Sequence, residues 1–299
     1  MKISVIISTY NCGALIVKAL CSLVSNQTPA CELEVLVIDD GSIDNTRQII
    51  KKFQAKVSFT LKYFYKKNGN WGSVINYVKE NRLANGDWIT VLDSDDTLKP
   101  NTLNKLANLV EKADYDLVVF DYTKCWKKIK LKIHTYPTWW KNMTRELQKQ
   151  TPFCIPLGKF LKRNLFYKLP KLKEKVSFQD ALYTASSLKL AKKVRHVNQS
   201  GGNYHFKRAG NSMSIPWNIK RFSAELDICK DLIRLNAQEI ALVHLLRQQF
   251  RVQFKEKQIQ LAVTRDFNFS GFSWYTRCFL WMVYQTMLKR YFYLQTTKQ

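Results

Sequence analysis

Hydrophobic and polar residues alternate along the first hundred residues in blocks that predict strands and helices in turn. Apolar, β-branched runs of about six residues predict strands, and longer stretches with apolar residues three and four apart predict helices. The predicted strands are 3–8, 33–38, 59–64 and 88–92, and the predicted helices are 14–25, 44–55 and 74–82. Strands separated by helices predict an α/β fold in which helices cover both faces of a mostly parallel sheet.

The pattern weakens after residue 122. A helix at 101–111, a strand at 115–122 and a helix at 182–190 continue the alternation, whereas 124–150 has no clear period and 224–236 and 239–254 have helical spacing. We therefore predict two domains. The first is an α/β domain at 1–215, with halves at 1–100 and 101–215, and the second is a mainly helical region at 216–299.

Composition excludes several classes of protein and points to an acidic partner. Of the 299 residues, 46% are hydrophobic and 24% charged, which excludes collagen, low complexity and wholesale disorder. Lys and Arg exceed Asp and Glu by 48 to 23, so the net charge is +25. Nucleic acid, a membrane or a phosphorylated substrate would all fit this charge. The net charges of residues 1–100, 101–200 and 201–299 are +2, +14 and +9, so the excess lies outside the first third.

The cysteines and the N-terminus favour the cytoplasm. Seven cysteines with no Cys-x-x-Cys pair indicate neither a disulfide framework nor a zinc site. The first apolar run is too short for the core of a signal peptide. We expect a protein of the reducing cytoplasm.

Aromatic and basic residues alternate in the segment 269–294. Its longest uncharged stretch, 278–288, has 11 residues, fewer than the ~20 that span a bilayer. Such a segment suits a helix lying in the headgroup layer of an anionic membrane. The alternative is that these aromatic residues pack against the α/β domain or form a homodimer contact through C-terminal helices.

Three predicted strands end in polar segments where an open parallel sheet binds its ligands. These segments are Ser8–Asn11, Asp39–Ser42 and Asp93–Asp96. The crowded carboxylates of the last segment repel one another unless a cation or hydrogen bonds offset their charge, and their oxygens suit Mg²⁺ or Mn²⁺. We predict a divalent metal site that a nucleotide diphosphate completes. The alternative is that Asp95 and Asp96 cap a helix beginning near Pro100.

These segments, in this order and spacing, resemble the N-terminal signatures of family 2 glycosyltransferases of the GT-A type. The matching stretches are Val5–Asn11, Val37–Thr46 and Leu92–Asp96, and the resemblance covers about residues 1–215. It implies a GT-A fold with a Rossmann-like sheet, and inverting, metal-dependent transfer of a sugar from a nucleotide donor to a saccharide or lipid-linked glycan. The absence of Gly-x-Gly-x-x-Gly after the first strand argues against a dinucleotide oxidoreductase.

The resemblance implies a nucleobase site formed by Thr9, Tyr10, Asn11 and Asp40. Tyr10 would face the base, and Asp40 would accept a hydrogen bond from its imide N–H. A carboxylate acceptor of this kind favours uracil or thymine, so UDP is the first expectation for the donor nucleotide and dTDP the second.

The resemblance also implies contacts to the rest of the donor. Asp93 and Ser94 would lie at the ribose, and Asp95 would bind the Mn²⁺ or Mg²⁺ that bridges the two phosphates. The remaining donor-binding residues implied are Asn70, Lys207, Arg208 and Ser212. Near Asn70, Ile75 stands where the family usually has Arg, whereas Asn76 matches. Trp71 is assigned either to core packing or to a ligand contact.

Asp180 is the implied catalytic base. A sugar hydroxyl loses its proton as it attacks, so a positioned carboxylate accelerates transfer. Gln179 precedes it where the family usually has Glu, which removes a like charge beside the base. The alternative role for Asp180 is an N-cap of the helix at 182–190. His205 is assigned to a buried structural role rather than to a metal or phosphate contact.

Two other classes of function remain open from sequence alone. A nucleic-acid-binding protein would explain the charge but not the carboxylates at the strand ends, so we expect no nucleic-acid partner. The other class is a degenerate, non-catalytic GT-A module. Its support is that Ile75 and Gln179 replace the Arg and Glu that are usual in the family. The favoured interpretation is a glycosyltransferase of cell-surface polysaccharide assembly, peripheral on the inner face of the cell membrane.

Overall fold

The computed structural model describes residues 1–135, 155–206 and 219–235. The chain divides into two units, Met1–Pro216 and Trp217–Gln299, and each is described by itself. The predicted helix at 239–254 and the aromatic segment at 269–294 lie outside the described residues.

Apart from a two-residue strand at Thr97–Leu98, the described part of the first unit alternates strands and helices as far as Lys112, as the hydrophobic pattern predicts. The strands are β1 (Lys2–Thr9), β2 (Glu32–Asp39), β3 (Thr60–Tyr65), β4 (Trp88–Asp93), β5 (Thr97–Leu98), β6 (Leu117–Trp126), β7 (Ile129–Ile133), β8 (Lys159–Lys162) and β9 (Val194–His205). The helices are α1 (Gly13–Val24), α2 (Thr46–Gln54), α3 (Asn70–Glu80), α4 (Thr102–Lys112), α5 (Arg163–Lys168) and α6 (Gln179–Leu190).

The strands form one sheet in the order β3-β2-β1-β4-β8-β6-β9-β5, with β7 paired to β6. The first four strands are parallel, and in their register Val5 of β1 faces Val35 of β2 and Thr90 of β4. Helices connect these strands, as parallel pairing requires. Consequently β1, β2 and β4 all end at the same edge of the sheet.

The second half of the sheet is mixed. Strand β8 is antiparallel to both β4 and β6, β6 and β7 form a hairpin, and β9 is parallel to β6 but antiparallel to β5. The predicted helix-flanked α/β fold is confirmed. The strands within the first 93 residues pair with one another only in parallel, whereas the later strands pair in both directions. Sequence reasoning missed β8 because it has four residues, and β9 because Gly201 and Gly202 interrupt its pattern.

The core is built on strands that are covered on both faces. Nearly every residue of β1 and β2 is buried, which explains why their sequences are mainly apolar rather than alternating, apart from the hydrogen-bonded pair Ser4 and Glu34. Ile3, Val5 and Ile7 belong to one cluster with the apolar face of α1, including Ile16 and Leu20. Each fully buried side chain of this size contributes about 1.5–3 kcal/mol to folding.

Two helix starts differ from the sequence prediction. The helix predicted at 44–55 begins at Thr46, with Asn45 in the N-cap position, and the Asp44 carboxylate accepts hydrogen bonds from the Thr46 N–H and hydroxyl. Helix α4 begins at Thr102 after Asn101, whose φ of 63° is left-handed. The interpretation of Asp95 and Asp96 as caps of this helix is therefore wrong.

The partly buried imidazole of His196 on β9 predicts a pH-dependent stability. Burial lowers the pKa of His196 to about 4, the Lys159 charge acts in the same direction, and Asp121 opposes it. An unfolded chain protonates this residue near pH 6.5, so stability is lost as the pH falls from about 6.5 towards 4. Between pH 7 and pH 5 we expect the His196 contribution to lower the free energy of unfolding by about 2 kcal/mol.

Urea denaturation of the wild type and a His196→Gln variant at both pH values checks this expectation. Other titrating groups affect both proteins equally, so the difference between the two pH dependences isolates His196. Identical pH dependences would contradict it.

The described part of the second unit is one helix, α7 (Ile219–Arg234), which begins five residues before the predicted start at Ala224. Ion pairs three residues apart join Lys230 to Asp227 and Arg234 to Asp231. Across the described ranges of the whole chain, no helix combines the length and apolarity needed to cross a bilayer.

Candidate active site

Two backbone hydrogen bonds fix the polar segments around the end of β1. The Asp40 N–H donates to the Thr9 carbonyl oxygen over 2.9 Å, and the Ser94 N–H donates to the Ser8 carbonyl oxygen over 3.1 Å. Because β1 lies between β2 and β4, the residues that follow all three strands meet at one place. This is the edge at which parallel sheets bind ligands.

Asn11 joins the turns that follow β1 and β2. Its N–H donates to the Ser42 hydroxyl over 2.8 Å, and its Oδ1 accepts from the Ile43 N–H over 2.9 Å. Gly41, which directly precedes Ser42 in the turn after β2, has a φ of 88°, a conformation that glycine adopts without strain. The structure thus shows Asn11 supporting the loop, and its contact with a nucleobase stays a prediction.

Thr9 and Tyr10 lie at different depths. The Thr9 side chain is buried, and its hydroxyl forms no hydrogen bond with any of the described residues. The next residue, Tyr10, is 49% exposed. Of these two predicted donor contacts, only the Tyr10 ring lies at the surface.

Asp40 is only 3% exposed and is held through one of its carboxylate oxygens. Oδ1 accepts from the Lys66 ammonium over 2.6 Å, the Gly69 N–H over 3.0 Å and the Ser73 hydroxyl over 3.3 Å. Lys66 offsets the burial of this charge, and sequence reasoning missed it because one Lys after a strand has no distinctive pattern. Oδ2 accepts no hydrogen bond from any of the described residues.

The neighbouring Asp39 serves the turn. Its Oδ1 accepts from the Ser42 N–H and its Oδ2 from the Tyr63 hydroxyl, each over 2.7 Å. Burial and the Asp39 carboxylate together raise the pKa of Tyr63. With both oxygens engaged, Asp39 shapes the loop that presents Asp40.

Asp93, Asp95 and Asp96 form a carboxylate cluster after β4. One oxygen from each lies within 4.8 Å of the others. Asp93 and Asp95 are partly exposed, whereas Asp96 and the intervening Ser94 are buried. Three carboxylate oxygens at this spacing fit a hard divalent cation such as Mg²⁺ or Mn²⁺.

Strand β9 brings His205 to this cluster. The His205 N–H donates to Asp96 Oδ1 over 2.9 Å, and its ring Nδ1 lies 3.9 Å from the same oxygen. The imidazole is 38% exposed, so its assignment as a buried residue is wrong. Sequence alone gave no signal for this contact, because 108 residues separate the two positions.

The Tyr204 phenol is influenced by the charges of both the cluster and Asp180. Burial raises the pKa of Tyr204, and the charges of Asp96, Asp180, Asp93 and Asp95 raise it further. All four carboxylates therefore act on one phenol, although Asp180 lies far from the others in sequence. Asp180 is in the first turn of α6, whose N-cap position is Phe178, so the N-cap assignment for Asp180 is wrong.

Trp71 holds one member of the cluster. Its indole N–H donates to Asp93 Oδ1 over 2.9 Å, and its ring meets the buried Tyr183 ring edge to face at 5.4 Å. The side chain is partly exposed. Sequence reasoning weighed core packing against a ligand contact, and the structure gives a third role in which Trp71 positions a carboxylate.

Helices α3 and α6 meet closely beside these residues. A Cβ on Gly72 would lie 2.6 Å from the Lys173 carbonyl oxygen and 3.0 Å from Gln179 Cγ, so only glycine permits this approach. The buried Gln179 accepts from the Lys173 N–H over 2.9 Å. Gln179, which stands where the family usually has Glu, thus fixes the loop that leads to Asp180.

The remaining predicted donor contacts are only partly described. Asn70 begins α3 with a left-handed φ of 66°, and the replaced position Ile75 is buried. Asn76 is engaged with the Leu172 carbonyl oxygen and the Glu174 carboxylate. Lys207, Arg208 and Ser212 lie outside the described residues.

A family model for glycosyl transferase family 2 matches residues 4–169, which include the loops and the carboxylate cluster described above. The chain belongs to this family. This glycosyltransferase is 58% identical to an uncharacterized glycosyltransferase of Mycoplasma genitalium, over 98% of its own length and 99% of the relative.

Solved structures share the fold. The family 2 glycosyltransferase matches Staphylococcus aureus TarS 1–349 in complex with UDP-GlcNAc, with a TM-score of 0.67, 22% identity and coverage of 88% and 78% of the two chains. It also matches a mannosyltransferase of Pyrobaculum calidifontis in complex with GDP-Man and Mn²⁺, with a TM-score of 0.57, 20% identity and coverage of 88% and 77%. The GT-A fold expected from the sequence is confirmed.

Proposed function

We propose that this glycosyltransferase moves a sugar from a UDP-sugar to a hydroxyl of a saccharide or lipid-linked glycan, with inversion at the anomeric carbon. The observation that carries the proposal is the carboxylate cluster of Asp93, Asp95 and Asp96 at the strand ends, together with Asp180, whose charge acts on the same Tyr204 phenol. In this proposal the cluster is the donor and metal site, and the separate carboxylate is the base. The nucleic-acid-binding alternative gives these carboxylates no role.

The geometry of Asp40 supports a uracil nucleotide. Lys66, Gly69 and Ser73 fix Oδ1, so the orientation of the carboxylate is set before a ligand arrives. Oδ2 can then accept an imide N–H, which uracil offers and cytosine lacks. Tyr10, exposed at the end of β1, provides a ring surface for the base.

The cluster supports a metal-assisted reaction. Asp95 is the proposed ligand, with Asp93 and Asp96 within reach of the same position. A bound Mg²⁺ or Mn²⁺ would stabilise the negative charge of the departing diphosphate. Asp93 and Asp96 each commit Oδ1 to a protein donor, Trp71 and the His205 N–H, so their carboxylates are oriented in advance.

Asp180 is the proposed general base. It would accept the proton of the acceptor hydroxyl while the oxygen attacks the anomeric carbon from the face opposite the nucleotide. Its place in the first turn of α6 puts its charge where the helix dipole favours an anion. Single displacement of this kind inverts the sugar configuration.

The acceptor is the least constrained part of the proposal. A curated relative with 27% identity over 91% of this chain, spanning 46% of the relative, is the Staphylococcus aureus poly(ribitol-phosphate) β-N-acetylglucosaminyltransferase TarS. The polymeric acceptor of that relative and the basic charge of this chain beyond residue 100 favour a cell-surface polymer or a lipid-linked acceptor at the inner face of the membrane. The C-terminal segment proposed to contact the membrane or a second copy lies outside the described residues.

Incubation with a panel of UDP-, dTDP- and GDP-sugars, with and without Mn²⁺, tests the function through release of the free nucleotide. We expect metal-dependent release of UDP from one UDP-sugar, increased by a glycan acceptor. Calorimetry with UDP and Mn²⁺ tests binding separately. Absence of both UDP binding and turnover would favour the degenerate GT-A module.

Replacement of Trp71 by Phe should weaken binding of Mn²⁺ with UDP by about tenfold. The substitution keeps a ring against Tyr183 but removes the indole N–H, and hydrogen bonds to charged groups contribute about 1.5–3 kcal/mol. Electron paramagnetic resonance of Mn²⁺ in the presence of UDP measures the change. Trp71 is a positioning residue, because it acts through Asp93.

The matched control is Trp126→Phe, since Trp126 is 42% exposed at the end of β6. We expect its Mn²⁺ affinity to equal that of the wild type. Thermal unfolding of both variants separates a local effect from general destabilisation. Equal Mn²⁺ affinities for Trp71→Phe and the wild type would rule out the positioning role.

A further inference from the structure

A basic cavity lies at the edge of the sheet opposite the carboxylate cluster. It has a volume of about 540 Å³ and is lined by the loop after α3 and by helix α5, through Arg82, Ala84, Asn85, Arg163, Asn164, Tyr167 and Lys168. The loop precedes Trp88, the first residue of β4, whereas the cluster begins at Asp93, the last residue of that strand. Six residues of strand span roughly 20 Å, so the two sites are separate.

Contacts with the beginning of the sheet hold the two walls together. The Gly86 N–H donates to the Ser4 hydroxyl over 2.8 Å, and the Asn85 N–H donates to Glu34 over 3.0 Å. The Arg163 N–H donates to the Asp87 carbonyl oxygen over 2.9 Å. The cavity is therefore anchored on the central strands and does not depend on loop conformation alone.

Two guanidinium groups are held at this cavity by neutral partners. Arg82 lies over the Tyr167 ring, 5.5 Å from its centroid, and the Tyr167 hydroxyl donates to the Ala84 carbonyl oxygen. Arg163 donates from Nη1 to the Asn85 carbonyl oxygen over 3.1 Å. Each arginine keeps further N–H donors, and no carboxylate of the described residues forms an ion pair with Arg82, Arg163 or Lys168.

The acidic side chains nearby are already engaged. Glu34 is buried, and it accepts from the Ser4 hydroxyl and the Asn85 N–H and forms an ion pair with Lys62. Asp87 accepts from the Lys2 N–H over 2.9 Å. Among the residues that the structure describes, no carboxylate is therefore left to pair with the cations of the cavity, and an anion from solution can supply that partner.

We propose that this cavity binds the phosphate group of a small phosphate ester. The planar guanidinium groups of Arg82 and Arg163 match the oxygens of phosphate, and Lys168 adds a third cation. A cavity of this volume is larger than a phosphate ion and lies within the range of small-molecule sites. The amides of Asn85 and Asn164 can contact the polar group that the phosphate carries. The same phosphate chemistry occurs in free glycerol phosphate and in the headgroup of phosphatidylglycerol.

Two probes test the proposal and distinguish the sources of phosphate. Calorimetry of the full chain with glycerol 3-phosphate measures binding of the free ester, and cosedimentation with phosphatidylglycerol or phosphatidylcholine vesicles measures binding of the lipid. We expect saturable binding of at least one phosphate probe, weaker at higher salt. Binding of glycerol 3-phosphate assigns a soluble ligand, and binding of phosphatidylglycerol vesicles alone assigns a lipid.

The decisive variant is Arg82→Gln with Arg163→Gln, and the matched control is Lys51→Gln with Lys52→Gln on the exposed end of α2. Both remove two positive charges. Removal of two charge-assisted contacts should weaken binding by about tenfold or more in the first variant and leave the second unchanged. Circular dichroism confirms that both fold.

Three results would overturn the proposal. They are no binding of either probe, equal weakening in the two double variants, and unchanged binding in the arginine variant. The last result would assign the phosphate to another site, such as the carboxylate cluster and its metal. Binding of UDP should be the same in the arginine variant and the wild type, because the cavity lies at the opposite edge of the sheet.

Discussion

Replacing Asp180 with Asn is expected to lower the rate of sugar transfer by about 10²–10⁴-fold, because the amide cannot accept the proton of the acceptor hydroxyl. Asn retains nearly the shape of Asp, so the first turn of α6 and its approach to α3 should persist. Release of UDP from the preferred donor, with saturating acceptor, measures the effect. The loss should appear in kcat, since Asp180 is proposed to act on the acceptor during transfer.

Binding of UDP separates a catalytic role for Asp180 from a structural one. The dissociation constant of UDP should change by less than about twofold, as expected for a group that acts mainly in the transition state. Asp114→Asn is the matched control, because Asp114 is an exposed carboxylate paired with Lys162. A kcat for Asp180→Asn close to that of the wild type would remove Asp180 as the base.

Replacing Asp95 with Asn is expected to weaken Mn²⁺ binding by at least about 100-fold in the presence of UDP. A neutral amide is a poor substitute for a carboxylate ligand, and even changes beyond the coordinating residues cost about 10–100-fold in metal affinity. Transfer should fall with it and recover in part at high Mn²⁺. Titration followed by electron paramagnetic resonance measures the affinity without reference to turnover.

The same titration on Asp44→Asn provides a comparison inside the N-terminal half. Asp44 accepts from the Gly13 and Thr46 N–H groups and lies outside the cluster, so its loss should affect stability more than metal affinity. The Asp96→Asn variant tests the other candidate ligand of the cluster, whose carboxylate also accepts the hydrogen bond from the His205 backbone N–H. An unaltered Mn²⁺ affinity in Asp95→Asn, with loss in Asp96→Asn, would transfer the ligand role to Asp96.

The parallel half of the fold was predictable because its signals are local. Strands β1, β2 and β4 are mainly apolar, helices separate them, and each strand ends on a polar segment. Those facts predict the order of elements and the edge at which Asp40 and Asp93 meet. The mixed half was not predictable, because β8 and β9 are specified by the strands they pair with rather than by their own sequences.

The sequence by itself determined the α/β class, the segments at the strand ends and the candidate carboxylates, since each depends on residues close together in the chain. Only the tertiary structure decided which groups support them. Lys66 fixes Asp40, Trp71 fixes Asp93, and the His205 N–H fixes Asp96. The physical reason is that a buried or crowded carboxylate needs donors, and a fold can supply them from any distance along the chain.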